Sequence, residues 1–196
     1  MELYLYDFDG TIYDGDSSLD FLIYCYKKKH IKHSYIIKII FKVIAYKLKR
    51  VTVTEAKEFI FAFVKNIQDI DNLISEFWKT HQKKMKVFYL DKENHEHDVI
   101  VSASPEFLLK PICDRLKVKT LIASDVDKKT GKFKRPNCRG EEKVIQLNKR
   151  FPNSRFLEMY SDSLHDTPLL ELAERSYMVK KNQIYDYKPK GLARKK

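Results

Sequence analysis

The hydrophobic pattern of the first 90 residues changes once. Leu3 to Tyr6 form a short apolar run that ends at the polar segment 7–11, which is typical of a buried strand followed by a turn. From 13 to 90 the apolar residues recur at helical spacing, with one glycine and no proline in the whole stretch. We therefore predict a strand followed by several packed helices, inserted at 13–90.

Two helix starts can be recognised within this stretch. The residues Asp16 or Ser17 and Thr52 or Thr54 are of the types that cap helix N-termini. Glu55 follows Thr52 by three residues, which is the spacing of a capping box.

From residue 98 onward, short apolar runs alternate with helical segments. The predicted strands cover 98–101, 118–123, 155–160 and 177–179, and the predicted helices cover 106–116, 140–150 and 166–175. Ser104 and Pro105 are expected at the cap and first turn of the first of these helices. Alternation of this kind predicts an α/β fold with a Rossmann-like parallel sheet core. The expected division is a core of 1–12 and 91–187, a helical domain of 13–90, and a basic tail of 188–196.

Composition excludes several classes of protein. The 196 residues are 43% hydrophobic, 33% charged and 13% aromatic, which is a globular composition. No apolar run approaches the roughly 20 residues of a membrane-spanning helix, and the first residues do not resemble a signal peptide. The three cysteines are widely spaced, which argues against a disulfide framework and a zinc site. We therefore expect a cytoplasmic protein.

The net charge of +11 is compatible with an anionic partner, but it rests on 30 lysines against 8 arginines, so a nucleic-acid partner is not favoured. The segment 21–50 holds nine basic residues, six aromatic residues and no acidic one. Two interpretations remain open for it. In the first, the segment is a helix that packs its apolar side and solvates its lysines. In the second, it is a basic aromatic helix that binds an anionic membrane surface, and the protein would then also lie peripherally on the inner membrane face. In a helix, Lys38, Lys42 and Lys49 would share one face, with Ile36, Ile40 and Ile44 largely elsewhere.

Polar and charged residues follow three of the predicted strands. Ligands of open parallel sheets bind at the carboxyl ends of strands, and a lysine in the first turn of a helix leans toward the same edge. Crowded carboxylates need a cation, and hard oxygen ligands favour Mg²⁺. The residues expected at this edge are Asp7, Asp9, Ser102, Lys143, Asp162 and Asp166.

Four segments in this order resemble the motifs of the haloacid-dehalogenase-like (HAD) phosphohydrolase superfamily. They are Asp-Phe-Asp-Gly-Thr at 7–11, Val-Ser-Ala-Ser-Pro at 101–105, Gly-Glu-Glu-Lys at 140–143 and Ser-Asp-Ser-Leu-His-Asp-Thr-Pro at 161–168. The last is similar to the form found in the subgroup that includes phosphoserine phosphatase. The resemblance implies a HAD-like core, an inserted helical cap that closes over the site, and a phosphatase activity.

The resemblance also implies roles for the charged residues. Asp7 would be the nucleophile that forms an aspartyl-phosphate, and Asp9 would be the general acid and base. Ser102 and Lys143 would bind the transferring phosphoryl group.

The metal and substrate contacts implied by the resemblance involve a second set of residues. Asp162 would bind Mg²⁺ together with the Asp7 carboxylate and the Asp9 main-chain carbonyl, and Asp166 would orient that shell. Weaker candidates for substrate contacts are Thr11, Asp16 and Ala103. His165 stands where phosphoserine phosphatase has Asn, and we assign it no role.

We therefore expect a Mg²⁺-dependent phosphomonoester hydrolase that acts on a small phosphorylated metabolite. The alternatives are the same chemistry on a lipid phosphate of the phosphatidylglycerophosphate type, a phosphotransferase of the same family, and a basic adaptor that binds nucleic acid.

Overall fold

A computed structural model describes residues 1–188, which form a six-stranded sheet with helices packed on it. The strands are β1 (Glu2–Tyr6), β2 (Asp98–Pro105), β3 (Thr120–Ser124), β4 (Arg155–Ser161), β5 (Arg175–Lys180) and β6 (Gln183–Asp186). Their order in the sheet is β3-β2-β1-β4-β5-β6, and only β6 runs antiparallel to its neighbour. The predicted α/β class with a parallel core is confirmed. The predicted tail begins at the last described residue, and 189–196 lie outside the described part of the chain.

Five helices separate β1 from β2 in the chain, within the predicted insertion 13–90. They are α1 (Ser17–Lys27), α2 (His33–Lys47), α3 (Val53–Phe61), α4 (Ile70–His81) and α5 (Val87–Leu90). Short 3₁₀ segments follow α3 at Ala62–Asn66 and α4 at Gln82–Lys84. The other helices are α6 (Glu106–Arg115), α7 (Glu141–Arg150) and α8 (Thr167–Leu170), which a 3₁₀ turn at Leu164–Asp166 precedes. None of the helices in residues 1–188 combines the length and apolar character needed to cross a bilayer.

Both predicted helix starts are present. The Asp16 side chain accepts a hydrogen bond from the Leu19 N–H at 2.9 Å and caps α1. At α3, the Thr52 hydroxyl accepts from the Glu55 N–H at 3.1 Å, and the Glu55 carboxylate accepts from the Thr52 N–H at 2.7 Å. This reciprocal pair satisfies two donors that a helix start leaves free.

Three details of the predicted elements are wrong. Pro105, not Ser104, precedes α6, and no side chain caps that helix, because the Ser104 hydroxyl is directed to Asp9 instead. The helix predicted at 166–175 ends at Leu170, since the chain must leave it to pair with β4 from Arg175 onward. Strand β6 was not predicted, because its four residues are all exposed and show no apolar pattern.

The core consists of two layers, one on each face of the sheet. Successive residues of a strand point to opposite faces, so Tyr6 and Ile100 join one layer while Leu5 and Val99 join the other. The first layer contains the inserted helices, and the indole N–H of the fully buried Trp78 in α4 donates to the Leu108 carbonyl in α6 at 2.7 Å. The inserted helices are therefore anchored on the same sheet that carries the polar strand ends.

Candidate active site

A cavity of about 520 Å³ lies at the carboxyl ends of β1, β2 and β4. All six residues that the sequence predicts for this edge line the cavity, as do Asp16 and Ala103. The six residues are Asp7, Asp9, Ser102, Lys143, Asp162 and Asp166.

The floor of the cavity is a buried ion cluster around Lys143. Its ammonium lies 2.7 Å from the Asp7 Oδ1 and 2.8 Å from the Asp166 carboxylate, and the residue is 2% exposed. Burial works to lower the pKa of Lys143, but the two carboxylates outweigh it and raise this pKa above its usual value. Lys143 therefore remains positively charged. Ser161 donates a further hydrogen bond to Asp166 at 2.9 Å, which fixes this carboxylate in place.

Asp7 follows β1 directly, and its N–H donates to the Tyr160 carbonyl of β4 at 2.9 Å. Burial raises the pKa of the Asp7 carboxyl, and the contact with Lys143 opposes that rise. The ammonium thus favours the ionised carboxylate that a nucleophile requires.

Asp9 has a different environment from Asp7. Its Oδ2 accepts from the Ser104 hydroxyl at 2.5 Å, and its Oδ1 accepts from the Ser17 N–H, at the start of α1, at 2.6 Å. Burial raises the pKa of Asp9 to about 6, although both hydrogen bonds favour the charged form. A carboxyl with a pKa near neutrality is suited to both donating and accepting a proton.

Ser102 lies at an irregularity near the end of β2, where the pairing with β3 shifts register between Ser102 and Pro105. Such irregularities re-aim side chains at functional edges. The buried Ser102 hydroxyl oxygen accepts from the Ser104 N–H at 3.1 Å, so its own proton is available for a ligand.

The donor set beside Asp7 fits a hard divalent cation. Thr11 offers one hydroxyl proton to two carboxylate oxygens, the Asp7 Oδ2 at 3.4 Å and the Asp162 Oδ1 at 3.5 Å. The two carboxylate oxygens share this one proton, so their negative charge is only weakly compensated. Carboxylate oxygens are the ligands that Mg²⁺ prefers. At Gly10, with φ of 75°, an added Cβ would lie 2.1 Å from the Asp162 Oδ2, so only glycine lets this carboxylate approach the turn.

Residues 1–188 contain no cluster of three or more His, Cys, Asp or Glu side chains that could hold a metal ion. The fit to Mg²⁺ therefore rests on two carboxylates, Asp7 and Asp162, with the Asp9 main-chain carbonyl as the third predicted ligand. Mg²⁺ commonly keeps several waters and uses few protein ligands, so the sparse set is consistent with this ion.

Two of the weaker candidates have clear structural placements. Thr11, a candidate substrate contact, is 0% exposed and does not line the cavity; its hydroxyl oxygen instead accepts from the Asp162 N–H at 2.9 Å and supports Asp162. Asp16 is exposed at the cavity while one of its oxygens caps α1. His165 also lines the cavity.

Sequence reasoning missed three cationic side chains near the cavity. The Lys57 ammonium of α3 donates to the Ala103 carbonyl at 2.8 Å and to the Asn137 Oδ1 at 3.2 Å, and burial lowers the pKa of Lys57 to about 8. Arg139 lines the cavity just before α7, and the buried Lys86 donates to the Gly10 carbonyl. No sequence signal distinguishes these three among the 38 lysines and arginines of the chain, because they reach the site only through the tertiary fold.

Solved structures of bacterial proteins share this fold. A protein of unknown function from Bordetella pertussis Tohama I superposes with a TM-score of 0.76 at 21% identity, over 89% of this chain and 88% of that one. A phosphoserine phosphohydrolase-like protein from Francisella tularensis subsp. tularensis SCHU S4 gives 0.56 at 16% identity, over 90% and 86%. A probable phosphoserine phosphatase from Vibrio cholerae gives 0.58 at 10% identity, over 90% and 55%. At these identities the likeness establishes the fold.

A search among curated proteins finds no match to the chain. The family model of haloacid dehalogenase-like hydrolases matches residues 4–171, a range that includes all four motifs and every predicted site residue. This match confirms the predicted family and the predicted enzyme class, and the chain belongs to the haloacid dehalogenase-like hydrolase family.

Proposed function

We propose that the protein is a Mg²⁺-dependent phosphomonoester hydrolase that works through a phosphorylated Asp7. The observation that carries this proposal is the pairing of Asp7 with Lys143 beside a second carboxyl, Asp9, which is hydrogen-bonded to Ser104 and Ser17 instead of to a lysine. In a hydrolase, two carboxyl groups with separated environments are suited to the roles of nucleophile and proton donor.

In the first half-reaction, an Asp7 carboxylate oxygen attacks phosphorus and the bond from phosphorus to the ester oxygen breaks. Asp9 gives its proton to the departing oxygen, so the leaving group departs as an alcohol. Lys143 and the free Ser102 proton stabilise the negative charge on the phosphoryl oxygens.

In the second half-reaction, Asp9 takes a proton from a water molecule as that water attacks phosphorus. The bond from phosphorus to Asp7 then breaks, and inorganic phosphate and free Asp7 result. Asp7, Asp162 and the Asp9 carbonyl would hold Mg²⁺, which supplies positive charge that neutralises the phosphoryl oxygens.

The walls of the cavity favour a small, charged leaving group. Lys57 and Arg139 present positive charge, and Asp16 presents negative charge on the helix that begins at the same edge. A leaving group with a carboxylate and an amine, such as that of phosphoserine, would find a partner for each. The cavity size suits a metabolite.

A lipid phosphate is the second candidate substrate, and the exposed surface of α2, described below, favours it. A phosphotransferase would share the Asp7 chemistry and differ only in the group that accepts the phosphoryl moiety.

The test is a panel of phosphorylated metabolites and phospholipids, assayed with and without Mg²⁺. We expect Mg²⁺-dependent phosphate release from at least one ester and its loss in Asp7→Asn. The matched control, Asp91→Asn, changes an exposed aspartate that does not line the cavity and should retain turnover. Turnover that persists in Asp7→Asn would refute the covalent route.

A further inference from the structure

The helix α2 carries apolar side chains on the side that faces solvent. Four of them recur at helical spacing, and with Leu48, which directly follows the helix, they form what we call the α2 stripe: Ile37, Ile40, Phe41, Ile44 and Leu48. Phe41 is 66% exposed and Leu48 is 59% exposed. Of the three isoleucines singled out in the sequence, Ile36 packs against the core, whereas Ile40 and Ile44 are exposed.

The opposite side of α2 is the one that packs on the protein. Ile39 is buried, and Ile36 and Val43 contact the core beside it. Tyr35 stacks on Phe59 of α3, and its hydroxyl donates to the Phe59 carbonyl. Since the packing face is already in use, the stripe has no partner among the described residues. A second apolar face on a helix whose first face is packed normally meets a partner.

The surroundings of the stripe are strongly basic. Lys38 and Lys47 lie at its two edges on a helical projection, and further lysines and an arginine lie at both ends of α2. No acidic residue occurs between 21 and 50. Within residues 1–188, the only basic residue of this segment in a salt bridge is Lys28, whose partner is Glu76 at 3.7 Å. Lys42 lines a pocket together with Glu55 and Glu58, but Lys38 and Lys47 make no salt bridge with any described residue, so the charge at the two edges of the stripe is uncompensated.

An anionic lipid surface satisfies both features. A second copy of the chain would bring the same positive rim against this one, which is repulsive, and a nucleic acid would leave the stripe exposed to water. At the headgroup boundary of an anionic bilayer, apolar side chains are buried while lysines contact lipid phosphates.

We propose that α2 docks the protein peripherally on anionic membranes, with the α2 stripe in the headgroup boundary and Lys38 and Lys47 on the lipid phosphates. The helix has 15 residues, so the contact line is about 22 Å long at about 1.5 Å per residue. The docking does not depend on the reaction at Asp7, so each proposal can fail without the other.

The test is co-sedimentation of the full chain with vesicles of phosphatidylglycerol and phosphatidylcholine, compared with phosphatidylcholine alone. We expect binding to the anionic vesicles only, weakening as salt shortens the range of the charge interaction. Lys38→Glu with Lys47→Glu, and separately Ile40→Ser with Phe41→Ser, should each weaken the binding by about tenfold or more.

The matched control is Ile145→Ser with Lys149→Glu, which makes the same two kinds of change on exposed positions of α7. This variant should bind vesicles as the unaltered chain does, and melting curves verify that every variant is folded. Absence of vesicle binding, equal binding to both vesicle types, or equal loss in the control would overturn the proposal. Dimerisation through the stripe without vesicle binding would also overturn it and assign the surface to a second copy.

Discussion

At the level of single residues, the site depends on one buried ammonium. Lys143 neutralises two carboxylates, Asp7 and Asp166, that belong to strand ends far apart in sequence. A buried charge without its partner is costly, because neither water nor a counter-ion compensates it.

Removal of this ammonium should therefore affect both stability and turnover. We expect Lys143→Ala to lower the free energy of unfolding by about 3 to 5 kcal/mol and to abolish phosphate release. Chemical denaturation measures the first effect and the phosphatase assay the second. Lys149→Ala, on an exposed position of the same helix, is the control and should change neither quantity. Unchanged stability and activity in Lys143→Ala would contradict the proposed cluster.

Lys57 makes a pH-dependent prediction. Burial lowers its pKa to about 8, so its ammonium is charged below that pH and neutral above it. For an ester whose leaving group carries a carboxylate, KM should rise as the pH passes upward through about 8. Lys57→Arg should remove that rise because its guanidinium stays charged, and Lys57→Gln should show a high KM at every pH. An unchanged rise of KM in Lys57→Gln would assign it to another group.

The site residues that sequence could predict are those in ordered motifs. Asp7, Asp162 and Lys143 all lie where the motifs place them, because strand ends and a first helical turn have defined directions. Ser104 is misassigned from sequence because a serine directly before a proline is typical of a helix start, whereas its hydrogen bond to Asp9 depends on the fold. Lys57 had no local signal at all.

At the level of elements, the start of α1 serves both folding and the site. Its first N–H, from Ser17, donates to the Asp9 carboxylate, and Asp16 caps the same turn. A helix N-terminus favours negative charge, so α1 opposes the rise that burial gives to the pKa of Asp9, and this pKa stays near neutrality.

Substitution at Asp16 separates capping from substrate binding. Asp16→Ala should destabilise the protein by about 1 kcal/mol, while Asp16→Ser keeps the cap and most of that stability. If Asp16 contacts a substrate amine, KM rises in both variants. Thermal or chemical unfolding of the two variants measures the stability change, and steady-state kinetics on the same two proteins measures KM. A KM change that follows stability alone would remove Asp16 from the substrate contacts.

The strands and long helices were predictable because they have clear periodicity. Strand β6 and the end of α8 are not predictable, since β6 has four exposed residues and α8 stops after four residues. The bounds of β6 are set by its pairing with β5, and α8 ends because the chain continues into β5, which pairs with β4. A local sequence pattern contains neither pairing.

At the level of the whole molecule, the site exists only in the folded chain, because it joins residues from 7 to 166. The topology that brings these residues together followed from the alternation of strands and helices. The second apolar face of α2 did not, because periodicity alone does not say which of two apolar faces meets the core.

Mg²⁺ should stabilise the folded protein, because the unfolded chain has no assembled site. The gain is about 2.7 kcal/mol at about 100 times the dissociation constant, and a thermal shift assay reports it. Asp162→Asn should lose this Mg²⁺-dependent shift, and without metal it should be at least as stable as the unaltered chain because one of two crowded carboxylates is gone. Asp91→Asn should keep the shift. A full shift in Asp162→Asn would place the cation elsewhere.

Trapping the phosphorylated enzyme tests the covalent route through Asp7 at its intermediate. The chain is mixed with a ³²P-labelled ester that it hydrolyses, quenched with acid during turnover, and treated with hydroxylamine, which cleaves acyl phosphates. We expect protein-bound label that hydroxylamine releases and that Asp7→Asn lacks. Rapid turnover without bound label, or equal label in Asp7→Asn, would contradict the covalent route.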